Sequence, residues 1–145
     1  MARVSTYLNF PRVTEHAFLF YRSVFATEFC APMVKFRDIP TSPEQPPFAE
    51  ADQDLVMHVE LPILGGHILM GTDAPHSMGF PVVTGNNISI NLEPDSREEA
   101  DRLFAALVEG GSVEMPLRDM FWGGYFGILT DRYNIRWMFN CPATA

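Results

Sequence analysis

The feature that most constrains this chain is a pair of apolar helical stripes set a constant 83 residues apart. Ala17, Phe20, Tyr21 and Val24 correspond in turn to Ala100, Leu103, Phe104 and Leu107, with Phe25 and Val108 extending the two stripes. Recurrence at i, i+3, i+4 and i+7 marks an amphipathic helix that buries one face. The same stripe twice at fixed spacing points to a tandem duplication. The first helix is predicted over about residues 15 to 26, with Thr14 as N-cap and Val13 against Phe18 as a hydrophobic staple. The second is bounded by Ser96 and Glu99, which have the spacing of a capping box, and by Gly110-Gly111, a left-handed stop.

Each helix is preceded by one short strand pattern, Ser5 to Phe10 and Asn87 to Leu92, and followed by three more. After the first helix these lie near Glu28 to Arg37, Asp54 to Leu61 and His67 to Thr72. After the second they lie near Ser112 to Leu117, Gly124 to Thr130 and Ile135 to Phe139. The fold class is therefore α+β, built of two tandem βαβββ modules, about 3–73 and about 86–140. With 145 residues the chain is the size of one domain, so a single domain over 1–145 is expected. Two loops rich in turn formers, Asp38 to Gln53 and Asp73 to Asn86, interrupt the pattern and read as surface connectors or covers of a cavity mouth.

Charge and cysteine usage exclude several functions. A formal net charge of −8, with Lys and Arg never gathered into a stripe, argues against nucleic acid as a partner. No run approaches the length of apolar sequence that spans a bilayer, so neither membrane insertion nor export is expected. Cys30 and Cys141 have no metal-type spacing and read as two reduced thiols of a cytoplasmic protein.

Alternation sorts the strand residues into faces. If a helix covers one face of each sheet, the apolar parity faces the helix and the other parity lines the opposite, concave face. Leu8 and Phe10 then face the helix, leaving Tyr7 and Asn9. Met57, Val59 and Leu61 face the helix, leaving Val56, His58 and Glu60. Ile88, Ile90 and Leu92 leave Asn87, Ser89 and Asn91, and Ile135, Trp137 and Phe139 leave Arg136 and Met138. For Ile68, Met70 and Thr72 parity alone does not choose a face.

His58 and Glu60, two apart on one strand face, are the one acid/base candidate pair. Their alternative is a structural histidine bridged to its neighbour. The run from Phe121 through Trp122, Gly123, Gly124 and Tyr125 to Phe126 offers rings and close backbone approach. It suits a flat apolar ligand, ordinary core or a subunit interface equally. Met70, Met78, Met120 and Met138 would make such a pocket adaptable. Neither a nucleophile elbow nor a P-loop is present. Asp95-Ser96 reads as helix capping.

The segments NFPRVTEHAFLFYRSVF, VMHVELP, GGHILMGTD, GNNISINLEPDSREEADRLF, LVEGGSVEMPL, FWGGYFG and DRYNIRWMFN, in this order, resemble the PhnB-like branch of the vicinal-oxygen-chelate (glyoxalase/bleomycin-resistance/dioxygenase) superfamily. The resemblance implies two βαβββ modules whose sheets enclose a concave cavity, commonly in a homodimer, and places Ile68, Met70 and Thr72 on the cavity side. Many relatives bind a divalent metal at four strand positions, which fall here on Tyr7, Met70, Ser89 and Met138. These are not the imidazole, carboxylate or thiolate donors that such metals need, so no metal and no cofactor is expected. Members are also labelled demethylubiquinone methyltransferase-like, yet no Gly-rich strand-to-helix turn for S-adenosylmethionine is present.

The expected function is a metal-independent small-molecule-binding protein, forming a homodimer, with weak or unidentified enzymatic activity. Tyr7, His58, Glu60, Ser89, Trp122, Tyr125 and Met138 are its candidate ligand-binding residues, and no catalytic residue is assigned. One alternative is a metal-dependent lyase, isomerase or dioxygenase in which His58 and Glu60, with His67 or His76, supply unusual ligands. Another is a drug-sequestering resistance protein whose acidic surface attracts a cationic ligand.

Overall fold

The computed structural model describes residues 1–44, 46–79 and 81–142. The chain divides into two compact units, Met1–Val83 and Thr84–Ala145, which coincide with the two repeats. The first contains β1 (Thr6–Phe10), α1 (Thr14–Phe25), β2 (Val34–Lys35), β3 (Val56–Pro62) and β4 (Ile68–Asp73). The second contains β5 (Ile90–Leu92), α2 (Arg97–Leu107), β6 (Ser112–Asp119), β7 (Tyr125–Thr130) and β8 (Arg136–Cys141). Each unit carries one four-stranded sheet, ordered β1-β4-β3-β2 and β5-β8-β7-β6. In both, the first strand lies parallel to the last and the others run antiparallel. The α+β fold with two βαβββ modules is the one read from the sequence.

In the first unit the core is the α1 face set against Leu8, Phe10, Val59, Leu61 and Leu69. The buried residues of α1 are Thr14, Ala17, Phe18, Tyr21 and Val24. Phe18, rather than Phe20 or Phe25, therefore takes the centre of the stripe. It does so because β4 carries Gly71 beneath it: a Cβ there would overlap the Phe18 ring and stand 2.8 Å from its Cζ. In the second unit the exchange is reversed. Phe139, fully buried, fills the strand position that Gly71 holds in the first, and α2 has the small polar Asp101 where α1 has Phe18. The repeat keeps the summed bulk of helix and strand rather than each side chain.

Two buried carboxylates hold the turns. Asp73, at the end of β4, accepts the Thr14 backbone N–H at 3.0 Å through Oδ1 and that of Val56 at 2.9 Å through Oδ2. It thereby caps α1 from another strand, satisfying a donor that has no partner within the helix. Thr14 is consequently the first helical residue and not the N-cap; Val13 holds the cap position and gives no side-chain bond. In α2 Ser96 is the N-cap as read, accepting the Glu99 N–H at 3.2 Å. Gly110 adopts the left-handed conformation beyond its end, φ 79°. Asp131 organises the β7–β8 turn, accepting N–H groups of Tyr133 and Ile135 on Oδ1 and the Trp137 indole on Oδ2.

Several strand readings need correction. Of the strand expected over Glu28 to Arg37 only Val34–Lys35 pairs, and Phe36–Asp38 turns into a short 3-10 helix. Val56 is fully buried rather than facing away from the helix, and Met57 is only partly buried. The cause is a register shift opposite Lys35: Val34 pairs with His58 but Lys35 with Val56, so the alternation that holds from Val59 onward breaks there. Ile88 is 80% exposed, because β5 begins only at Ile90, where pairing with Trp137 starts.

The long loops are tied down at one end of the first unit. Arg12 donates to Asp52 Oδ1 at 2.8 Å and to the Ala51 carbonyl, and the Ser77 hydroxyl donates to Asp52 Oδ2 at 2.8 Å. These bonds hold the Asp52 carboxyl below its ordinary range, the Arg12 bond first and the Ser77 bond second.

Candidate functional site

Parity along β1, β3 and β4 places Tyr7, His58, Glu60 and Met70 on the face of the first sheet turned away from α1. Met70 lies between them, its Cα paired with Tyr7 on one side and Glu60 on the other. Above this row the side chains meet. Tyr7 Oη is 3.0 Å from His58 Nδ1, with the two rings tilted 35° and their centroids 5.7 Å apart. His58 Nε2 is 3.9 Å from Glu60 Oε1, and Arg3 Nη2 approaches the same oxygen at 3.5 Å. The Ser5 hydroxyl donates to Met70 Sδ at 3.7 Å. Tyr7 is 46% exposed, while the side chains of His58 and Glu60 are 33% and 30% exposed. Burial first, and the Glu60 charge second, push the Tyr7 phenol above its ordinary value.

Arg3 and Ser5 were not singled out from the sequence. The signal was present, since Arg3, Ser5, Tyr7 and Asn9 share one parity, but the first two precede the residues that pair as a strand. His67 and His76 do not join His58. His67 Nε2 lies 2.8 Å from Thr6 Oγ1, a residue of the other parity, and His76 is exposed on a short helical turn, His76–Met78. Among the described residues no three His, Cys, Asp or Glu side chains are placed to hold a metal ion.

In the second unit the face away from α2 carries Phe126, Ile128 and Thr130 of β7 with Arg136, Met138 and Asn140 of β8. Met138 lies between Asn91 and Ile128 in register. Trp122 packs edge-on against Phe126 at 5.7 Å and against Phe121 at 5.1 Å. Arg136 pairs with Glu114 at 2.5 Å, and Thr130 donates to the same carboxylate at 2.8 Å. The Thr130 bond first, and Arg136 after it, hold the Glu114 carboxyl below its ordinary range.

Tyr125 does not share this face. It lies on the parity of the buried Gly127 and Leu129; its hydroxyl donates to Asp101 of α2 at 2.6 Å, and Arg97 stands 4.5 Å over its ring. The expected aromatic wall therefore splits, with Trp122 and Phe126 on the open face and Tyr125 on the helix side. Ser89 is half-buried just before β5 and outside it. Of the candidate residues, Tyr7, His58 and Glu60 come into contact. Met138 and Trp122 stand on the open-face side of the second sheet, Tyr125 lies on its helix side, and Ser89 lies just before the paired residues of β5.

Comparison with known proteins agrees with this architecture. The family model described as 3-demethylubiquinone-9 3-methyltransferase matches residues 2–139. Protein YjdN of Escherichia coli (strain K12) is 25% identical over 142 residues, covering 94% of this chain and 93% of that one. The crystal structure of protein PA1353 from Pseudomonas aeruginosa is 35% identical with a TM-score of 0.83, covering 99% of this chain and all of that one (100%). The putative 3-demethylubiquinone-9 3-methyltransferase, PhnB protein, from Bacillus cereus is 25% identical with a TM-score of 0.72, covering 97% and 99%. A glyoxalase/bleomycin resistance protein/dioxygenase family enzyme from Burkholderia phytofirmans PsJN shares the fold at 19% identity, TM-score 0.61, covering 94% and 96%. Matched along almost its whole length, the chain belongs to the family described as 3-demethylubiquinone-9 3-methyltransferase; it is similar to a PhnB protein and has the fold of the glyoxalase/bleomycin resistance/dioxygenase enzyme.

Proposed function

We propose that the protein binds a small molecule on the open face of its first sheet, without a metal, through hydrogen bonds with Tyr7, His58 and Glu60. The observation that carries this reading is the contact of these three side chains, drawn from two strands that are not neighbours, above the methionine that separates them. Such a row of half-buried polar groups beside the adaptable Met70 gives a ligand both directional contacts and apolar surface.

Donor chemistry supports metal independence. The positions that hold a metal in many relatives carry a phenol, two thioethers and a hydroxyl, a set that divalent zinc, nickel, manganese or iron does not favour. Methyl transfer draws no support from the strand-to-helix connections, because residues 11–13 between β1 and α1 and residues 93–96 between β5 and α2 contain no glycine to let the backbone approach S-adenosylmethionine closely.

Two tests bear on the reading. Elemental analysis of the purified protein is expected to find less than one equivalent of any transition metal; one equivalent, lost with function on chelation, would replace this reading with a metalloenzyme. In a fragment screen monitored by NMR, His58→Ala and Glu60→Gln are expected to weaken binders seen in the native protein while leaving the melting temperature nearly unchanged. Unaltered affinity in both variants would confine the pair to a structural role.

We further propose a homodimer, supported by Phe121 at 96% and Trp122 at 50% exposure, stacked edge to face on the second unit. A cytoplasmic setting is supported by two free thiols, exposed at Cys30 and buried at Cys141.

A further inference from the structure

The arrangement of Tyr7, His58 and Glu60 supports more than adhesion of a ligand. Tyr7 is the most exposed of the three, and its oxygen is in contact with His58 Nδ1. The other imidazole nitrogen is turned toward Glu60. A neutral imidazole has one donor and one acceptor nitrogen, and the partner of each decides which is which. A carboxylate accepts only, so Glu60 favours the proton on Nε2. Nδ1 is then the acceptor, and the Tyr7 O–H donates to it. The Tyr7 oxygen keeps lone pairs free toward the open face. Arg3, at 3.5 Å, is the one cation paired with Glu60 among the described residues.

We propose that Tyr7, His58 and Glu60 form a proton-transfer row in which the Tyr7 oxygen meets an ionisable ligand hydroxyl, that of an enol or a phenol. The inference rests on the binding reading above. In the step, the ligand O–H bond breaks as its proton passes to Tyr7 Oη, while the Tyr7 proton passes to His58 Nδ1. The ligand is left as its oxyanion and His58 as imidazolium, whose charge Glu60 balances. Two protons shift in relay, for a net transfer of one from the ligand to His58; no electrons are transferred and no co-reactant is consumed, and the reverse step protonates an enolate or phenolate. Tyr7 is here the ligand-contacting group, and His58 and Glu60 act through it.

The test has a part that needs no ligand. Long-range proton–nitrogen NMR on labelled protein, above the titration range of imidazole, is expected to show His58 as a single tautomer with its proton on Nε2. The His58 signals are identified by their loss in His58→Gln. Tyr7→Phe is expected to convert His58 to a mixture of tautomers, leaving His16, His67 and His76 unchanged. A proton on Nδ1 in the native protein, or a pattern indifferent to Tyr7→Phe, would overturn the row.

The second part uses 4-nitrophenol, whose phenolate is coloured. The native protein is expected to raise the phenolate fraction of the bound probe, and Tyr7→Phe to reduce that bias about tenfold, the equivalent of losing one hydrogen bond to a charged oxygen. Binding with no change in phenolate fraction would overturn the row and leave the binding reading standing. No binding at all, with the Tyr7-dependent tautomer intact, would remove the binding reading and with it the ligand-contacting role of Tyr7.

Discussion

At the residue scale the buried carboxylates decide more than their number suggests. Asp73 satisfies two backbone donors, on α1 and on β3, at a site from which water is excluded. Asp73→Ala leaves both without partners and is expected to cost about 2–4 kcal/mol in urea denaturation, with Asp73→Asn, which keeps one acceptor, costing less. On the open face, Tyr7 has its phenol pKa raised by burial and by Glu60. A raised value in the folded state means that the stability Tyr7 contributes is fully present below the ordinary value of 10.0 and is lost as pH rises through the folded value. Glu60→Gln is expected to lower the Tyr7 titration midpoint, read by tyrosinate absorbance, and Tyr7→Phe to remove this part of the alkaline loss of stability. The pairing of His58 with Glu60 was legible from alternation alone. The Tyr7 contact was not, because it depends on the tilt of two rings rooted in strands separated by β4.

At the scale of elements, helix and strand trade bulk. Gly71 lies under Phe18, so Gly71→Val is expected to destabilise by about 1–3 kcal/mol, measured by thermal or denaturant unfolding. The double variant with Phe18→Ala is expected to lose less than the sum of the two single changes, since removing the ring opens the space the valine needs. Ser96→Ala removes the α2 N-cap bond and is expected to cost about 1 kcal/mol. The Ser96 N-cap and the 83-residue offset were readable because they are local or periodic. The start of α1 was misplaced because its cap comes from Asp73, far along the chain. The strand before Asp38 was overestimated because β propensity does not reveal where a pairing partner ends.

At the scale of the molecule, the exposed rings of Phe121 and Trp122 carry the homodimer proposal. Phe121→Ser with Trp122→Ser is expected to shift the light-scattering mass toward the monomer's 16.3 kDa while preserving the fold by circular dichroism. A native protein of monomer mass across a wide concentration range would remove the proposal. The sequence by itself determined the α+β class, the two βαβββ modules and the helix-facing sets of most strands. Each of these rests on periodicity or residue chemistry, which need no knowledge of distant contacts. Only the tertiary structure decided that Phe18 rather than Phe20 centres the first core, that Val56 is buried at a register shift, that Tyr125 turns to Asp101 and Arg97 on α2, and that Tyr7 meets His58. In each case the deciding partner lies on another element, and the energy of packing or of a buried hydrogen bond outweighs the local pattern.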